Sequence, residues 1–519
     1  MKSFTNPGVT ARRFDWIACL VLVALAVLLY LPNLGATFVY DSKLTVRGND
    51  YVHHLGHLWD VASLRVMHLD VMDNNRPVYL ATIMLNWALW GANPMGHHLC
   101  NIVLHAAVAV LLYLFCRILL PGRTPWAAFV AALLFLAHPQ DCEAVAEMSY
   151  RNELLVAFFT LAALCLAAKF QPVYDRRNLL LGAAIVACAF LAIGSKENGI
   201  VVPPMLVCYW LLYRRGEPGK GWIMLCGAAV AVTWLFLLAR FTLRPAVSVI
   251  FVEPPQRPVS NFAEFMIVQP KIWAYYLRQI VWPRGFCADY GPFSIRNFDP
   301  TMSLLCVLAV VAAQIFGSFY NRAFAMGVAL YWFALLPVSN ILPIYRPMAD
   351  RFMYVPMLGA AVMLASLPWP RAGIARNAAL ALGICAAYVL AFFTLQREKA
   401  WHDGVALWTD AAMKNPMSHD CWNNLGSELC DAGRPAEAIP MFARAIHLVD
   451  GRVADHYAGL ALAYDALGRT QEADAAFRKC VMLDRRYGDT QLLLQALIWE
   501  KPDAAKLQAI ADRNQKSAN

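Results

Sequence analysis

WIACLVLVALAVLLYL, residues 16–31, runs directly into PNLGATFVYDS, residues 32–42. The first stretch is apolar throughout and follows Arg12-Arg13, so it reads as a helix entering a bilayer from the cytoplasmic side. No small-x-small cleavage site closes it, and a retained anchor is expected rather than a cleaved signal peptide. Asp41 then falls a few residues beyond the point where such a helix leaves the hydrocarbon. The rest of the chain has the same character. Of 519 residues, 60% are hydrophobic and 15% charged, whereas soluble domains carry about 25% charged residues. Much of this chain must face lipid.

The net charge of +9 is not a nucleic-acid signature, because the Lys and Arg residues sit in short loops between apolar runs, as the positive-inside rule requires. The 14 Cys show no CxxC pair or metal-ligand spacing. Several, such as Cys165, Cys188, Cys226 and Cys385, fall inside apolar runs and read as small buried hydrophobes.

Working outward, the apolar runs predict about eleven spans, with the N-terminus inside and the C-terminus outside. Basic residues mark the inner turns: Arg117 and Arg123, Lys169 with Arg176-Arg177, Arg214-Arg215, Arg322, and Arg371 with Arg376. Two shorter apolar stretches, Val78 to Trp90 and Ile272 to Trp282, are expected to lie in the interface rather than cross. From Trp401 onward the composition becomes that of a soluble helical array. Trp422, Leu425-Gly426, Gly433, Ala438, Phe442 and Ala445 match the tetratricopeptide pattern, and Tyr457, Leu460-Ala461, Gly468, Ala473, Phe477 and Cys480 repeat it 35 residues later. Residues 1–396 therefore read as a membrane domain and 397–519 as an extracytoplasmic repeat domain.

This topology gathers Asp41, Arg76, Glu143, Arg151, Glu153, Lys196, Glu197, Asp350 and Arg351 at one face. Ionisable groups at a membrane boundary are costly unless paired or functional. In the second span His98, Asn101 and His105 recur on one helical face. They predict either a water-filled groove or a hydrogen-bonded seam between helices. His53-His54 and His57 have no partner at metal spacing and read as loop residues.

Phe38 to Ser42, Arg76-Pro77, Asn93-Pro94-x-Gly96-x-His98-x-x-Asn101-x-x-Leu104-His105 and His138-Pro139 through Glu143-Ala144-Val145-Ala146 together resemble one family, as do Arg151-x-Glu153-Leu154-Leu155, Ser195-Lys196-Glu197 and Arg351-x-x-Tyr354-x-Pro356. The chain is similar, over nearly its whole length and in the same domain order, to the transmembrane and tetratricopeptide-repeat-containing O-mannosyltransferases of the GT-C superfamily. The resemblance implies an all-α fold, a polytopic GT-C-like helical bundle followed by a repeat solenoid. It also implies a polyprenyl-phosphate-linked sugar donor, with mannose the candidate sugar and transfer on the extracytoplasmic side. The acceptor would be a hydroxyl of a protein or other envelope molecule, held by the repeats if it is a peptide.

Carried over onto this sequence, Asp41 is the expected catalytic carboxylate. The family's first-loop acidic motif is usually a pair, and Ser42 stands at the second position, which leaves Glu143 or Glu153 to supply another acid. A carboxylate can take the acceptor's proton, and Lys196, Arg351, Arg151 and Arg76 are candidates to stabilise the departing phosphate. His98, Asn101, His105, His138, Glu197 and Tyr354 are expected to line the groove. A single in-line displacement would invert the anomeric centre. With no Gly-rich phosphate loop and no DxD-type motif in the first loop, no cofactor is required by the sequence, and divalent-metal dependence is left open. Membrane lipids are expected partners and nucleic acid is not. The few repeats and the compactness point to a bacterial inner membrane.

Two other classes compete. A transporter or lipid flippase would carry charges near mid-span and paired broken helices, whereas these charges cluster at outer ends. A non-catalytic scaffold assembling an envelope complex through its repeats is the other alternative, kept by Ser42 in place of a second acid.

Overall fold

The first long helix, α1 (Val9–Leu29), runs antiparallel to α4 (Pro94–Leu119). The two are tied at one end by Asp15, whose Oδ1 accepts from Arg117 Nε at 2.9 Å and from the Tyr113 hydroxyl. At the other end Asn33 Nδ2 lies 3.0 Å from His98 Nδ1. The pairing sets the basic turns at one end of the bundle and the Asp41 loop at the other. A computed structural model supplies this geometry and describes residues 9–122, 125–242, 262–291, 295, 297–341, 346–489, 492–493 and 501–518. Arg123, residues 243–261, residues 342–345 and parts of the C-terminal stretch after residue 489 lie outside the described residues.

Among the described residues the chain is helical, with no strand. Six helices among the described residues are long and apolar enough to cross a membrane: Pro94–Leu119, Met148–Ala167, Arg176–Ser195, Gly219–Arg240, Pro300–Tyr320 and Gly373–Ala400. A bent pair, Pro125–Leu136 with Pro139–Ala146, makes a seventh if its 48° break is one span. The sequence count of about eleven included apolar runs that fold as short helices here. Among them are α9 (Val202–Tyr209, 8 residues), α13 (Arg322–Leu335, 14 residues) and α14 (Tyr354–Ser366, 13 residues). The stretch expected to lie in the interface after the first loop forms α3 (Pro77–Trp90), whose Tyr79, Leu80, Ile83 and Met84 are buried against the first loop.

The bend between α5 (Pro125–Leu136) and α6 (Cys142–Ala146) has a local cause. Pro139 has no N–H to continue a helix and holds His138 in extended backbone. The turn that results carries Glu143 inward. Small residues bring α13 and α14 together: a Cβ on Gly359 would sit 2.4 Å from the Tyr331 amide nitrogen and 2.5 Å from the Gly327 carbonyl. At the periphery, α12 (Pro300–Tyr320) and α15 (Gly373–Ala400) leave Phe319 and Tyr388 exposed, as a lipid-facing wall requires.

α15 is capped by Trp401, and among the described residues six α-helices follow: α16 (Gly404–Lys414), α17 (His419–Asp431), α18 (Pro435–Leu448), α19 (Ala454–Ala466), α20 (Thr470–Leu483) and a last one over Lys501–Ala518. Each turn inside a helix pair holds a glycine at φ +71°, Gly433 and Gly468, a conformation that costs other residues about 1 kcal/mol or more. Phe442 fills the gap between repeats only because its neighbours are glycines. A Cβ on Gly426 or Gly459 would come within 2.8 or 2.4 Å of its ring.

Candidate active site

Asp41 sits in a strained turn. Tyr40, a non-glycine residue, has φ +52°, a backbone state that persists only where its surroundings over-determine it. Ser42 closes the turn: its Oγ donates to the Val39 carbonyl at 2.6 Å and accepts from the Val39 N–H at 3.1 Å. The Ser42 N–H donates to Glu147 Oε1 at 2.8 Å, and the Tyr150 hydroxyl donates to Asp41 Oδ2 at 2.8 Å. The first loop is thus pinned to the segment between α6 and α7 (Arg151–Ala167).

Tyr150 also serves the cation beside it. The Arg351 guanidinium lies over the Tyr150 ring, 4.1 Å from its centroid, an attraction strengthened by desolvation. Arg351 is held by Glu143, through Nη1 at 2.5 Å and through its own N–H at 3.0 Å. Glu153 does the same for Lys196, at 2.5 Å, with Asn198 Nδ2 donating to its second oxygen at 3.2 Å. Glu143 and Glu153 were the expected sources of a second acid, and here both are buried counter-ions of cations. Burial pushes Lys196 down from the ordinary ammonium range, Glu153 draws it back up, and the guanidiniums of Arg76 and Arg351 push it down again. Those three cations therefore share one field.

Arg76 completes the group, donating to Asp73 at 2.7 Å and to Glu197 at 3.2 Å. Burial raises Glu197, but Arg76 and Arg240 outweigh it and hold the carboxylate well below the usual range. Glu197 is thus an anchor for two arginines rather than a groove wall. Arg151, expected among the phosphate-binding cations, is turned elsewhere. Its Nε donates to Asn101 Oδ1 at 2.7 Å and its other nitrogens to the carbonyls of His97 and Thr82, which ties the start of α7 to α3 and α4.

The polar face of α4 resolves as a seam. His98, Asn101 and His105 are fully buried. Asn101 Nδ2 donates to the carbonyls of Val145 and Glu147 at 3.3 and 3.2 Å. His105 Nε2 lies 3.3 Å from the Leu136 carbonyl, which assigns its proton there and leaves Nδ1 to accept from the Tyr354 hydroxyl at 2.7 Å. His138 Nδ1 accepts from the Gln140 N–H and its Nε2 reaches the Ile280 carbonyl at 3.2 Å. These four residues and Tyr354 join helices. They do not line a groove.

Sequence reasoning did not single out Glu147 or Tyr150, which touch the Asp41 turn directly. Both lie inside the charged stretch between Glu143 and Glu153, and only their place there could have drawn notice. Among the described residues no group of three or more His, Cys, Asp or Glu is placed to hold a metal ion.

The repeats also reach this turn. Lys43 Nζ bonds Glu428 at 2.7 Å and Asp431 at 2.8 Å, and the Tyr40 ring packs on Trp401 and Trp408 with centroids 6.3 and 5.3 Å away. Asp289, in the loop after α11 (Phe262–Val281), accepts from the Ser418 hydroxyl at 3.1 Å and pairs with Arg346.

The tetratricopeptide-repeat family model matches residues 454–487, the α19–α20 pair. A protein O-mannosyl-transferase of Caenorhabditis elegans, F38B6.6, is 27% identical over 447 residues, covering 83% of this chain and 62% of that protein. The chain is similar to the protein O-mannosyl-transferases. The mouse protein O-mannosyl-transferase TMTC3 is 26% identical over 88% of this chain and 54% of its own length. The chain thus spans about half to three fifths of the length of these relatives. Among solved structures, that of ArnT from Cupriavidus metallidurans bound to undecaprenyl phosphate overlaps with a TM-score of 0.40 at 15% identity, over 89% of this chain and 80% of that one.

Proposed function

We propose that this chain is a membrane glycosyltransferase of GT-C type. It moves a sugar, with mannose suggested by the names of its relatives, from a polyprenyl-phosphate donor to a hydroxyl on a protein or other envelope acceptor. The observation that carries the reading is Tyr150: its hydroxyl binds the Asp41 carboxylate while its ring face supports the Arg351 guanidinium. A base and a phosphate-binding cation are thereby fixed on one residue.

In this mechanism Asp41 removes the proton of the acceptor hydroxyl as the oxygen attacks the anomeric carbon. The bond from that carbon to the phosphate oxygen breaks, and polyprenyl phosphate leaves with its added charge facing Arg351, Lys196 and Arg76. The Glu143 contact uses Nη1 of Arg351, so its other donors remain for a phosphate, while Lys196 offers a compact charge. Asp41, partly exposed at its turn, can be reached by an acceptor without displacing a salt bridge. The N-terminus is cytoplasmic in this reading, the repeats face the extracytoplasmic side, and the repeats present the acceptor.

Membranes carrying the chain, given radiolabelled polyprenyl-phosphate mannose, should transfer label to membrane protein, with the anomeric configuration of the product inverted. Retention of configuration would contradict the single displacement, and absence of transfer from any polyprenyl-phosphate sugar would favour a scaffold.

A further inference from the structure

Glu147 has no part in the chemistry above, yet it grips the residue that follows the base. Its carboxyl is fully buried. Oε1 accepts from the Ser42 N–H at 2.8 Å and from the Ser149 hydroxyl at 2.6 Å, and Oε2 accepts from the Met148 N–H at 2.9 Å. The Ser42 N–H has a weaker second acceptor in the Val39 carbonyl at 3.2 Å. The other two carboxyls on this stretch are engaged elsewhere, Glu143 with Arg351 and Glu153 with Lys196. Glu147 is the one that crosses to the first loop.

Such a contact matters because the turn is strained. The left-handed backbone at Tyr40 aims Asp41 only while both flanks are fixed. Upstream, Tyr40 is packed by Tyr150, Trp401 and Trp408. Downstream, Glu147 is the buried bundle-side grip on the Ser42 N–H, beside the Thr45 hydroxyl on the Asp41 carbonyl and the Lys43 ion pairs with the repeats. The bonds to Met148 and Ser149 are local and fix the carboxyl within its own segment, while the bond to the Ser42 N–H spans 105 residues, so the same carboxyl caps its own turn and staples it to the first loop.

We propose that Glu147 is a positioning residue for Asp41, stapling the Asp41–Ser42 turn to the Met148–Tyr150 segment so that the carboxylate meets the acceptor hydroxyl. The proposal rests on the reading of Asp41 as base, and the test separates the two. Transfer from radiolabelled polyprenyl-phosphate mannose to endogenous membrane protein is measured with the full chain as wild type, Glu147→Ala, Glu147→Gln and Asp41→Asn. Hydrogen–deuterium exchange at the Ser42 amide is followed in the same proteins.

Glu147→Ala should lower kcat by about tenfold to a hundredfold, the scale of a small misplacement of a reacting group, with donor KM changed less than about threefold. Glu147→Gln keeps an acceptor for the Ser42 N–H and should recover most of the loss. Exchange at Ser42 should quicken about tenfold in the alanine variant, whether or not turnover is detected. Wild-type kcat or unchanged Ser42 exchange in Glu147→Ala overturns the proposal, even if Asp41→Asn is inactive. An active Asp41→Asn overturns the reading of the base instead.

Discussion

The Asp41 turn is held from two sides, and the two holds differ in kind. On the bundle side the partners, Glu147 and Tyr150, are buried, so each bond is made in a low dielectric and an unpaired atom would cost dearly. On the repeat side Lys43 meets Glu428 and Asp431; Lys43 and Glu428 are 13% and 12% exposed and Asp431 41%, so water screens only the outer part of that hold. The first arrangement fixes geometry. The second joins the turn to the repeats through a partly screened ion-pair cluster and the packing of Tyr40 on Trp401 and Trp408.

Breaking the bundle side should have the largest effects. Arg351→Ala takes the guanidinium from buried Glu143 and leaves it the backbone N–H at position 351, a loss of about 3–5 kcal/mol for a broken buried pair. Thermal unfolding in detergent should show a lowered Tm, and transfer should be abolished. Tyr150→Phe is a finer cut. It keeps the ring under Arg351 and removes the hydrogen bond to Asp41, so stability should fall by about 1–3 kcal/mol, the range for a hydrogen bond to a charged group. Transfer should drop while donor KM stays near wild type.

Acidity sharpens the same comparison. Burial, with Asp41 close by, pushes the Glu147 carboxyl up to about 8 from an ordinary 4.5. The folded chain therefore holds a proton there that the unfolded chain releases, and stability should fall as pH rises from about 4.5 to about 8. Glu147→Gln should flatten that part of a stability-against-pH curve. An unchanged slope would mean that other groups carry it. Smallest of all, Lys43→Ala should cost about 1–2 kcal/mol, between the exposed and the buried case, and salt should weaken the contact to Asp431. A loss as large as that of Arg351→Ala would erase the distinction between the two sides.

Much of the architecture was legible in the chain. Apolar runs gave the membrane bundle, and small and aromatic residues at fixed offsets gave the repeats, because packing dictates both patterns. The convergence of Asp41, Arg76, Glu143, Glu153, Lys196 and Arg351 followed from charges at helix ends. Pairing did not follow. Nothing in the order of residues says that Glu143 answers Arg351 while Glu153 answers Lys196, or that Arg151 turns toward Asn101, since those choices depend on helix rotation. The role of the α4 histidines had two readings, and burial on all sides decided for the seam. Glu147 was hidden because its task is to bind a backbone amide of the first loop, and backbone partners leave no mark in sequence.

The central claim is that Asp41 is the base of a transfer from a polyprenyl-phosphate sugar. The direct measurement is initial-rate transfer of radiolabelled mannose from that donor by wild type and Asp41→Asn at equal protein level. The amide can still accept from Tyr150 but is a poor base, so the rate should fall by about 100-fold or more with unfolding behaviour little changed. Equal rates would contradict the account.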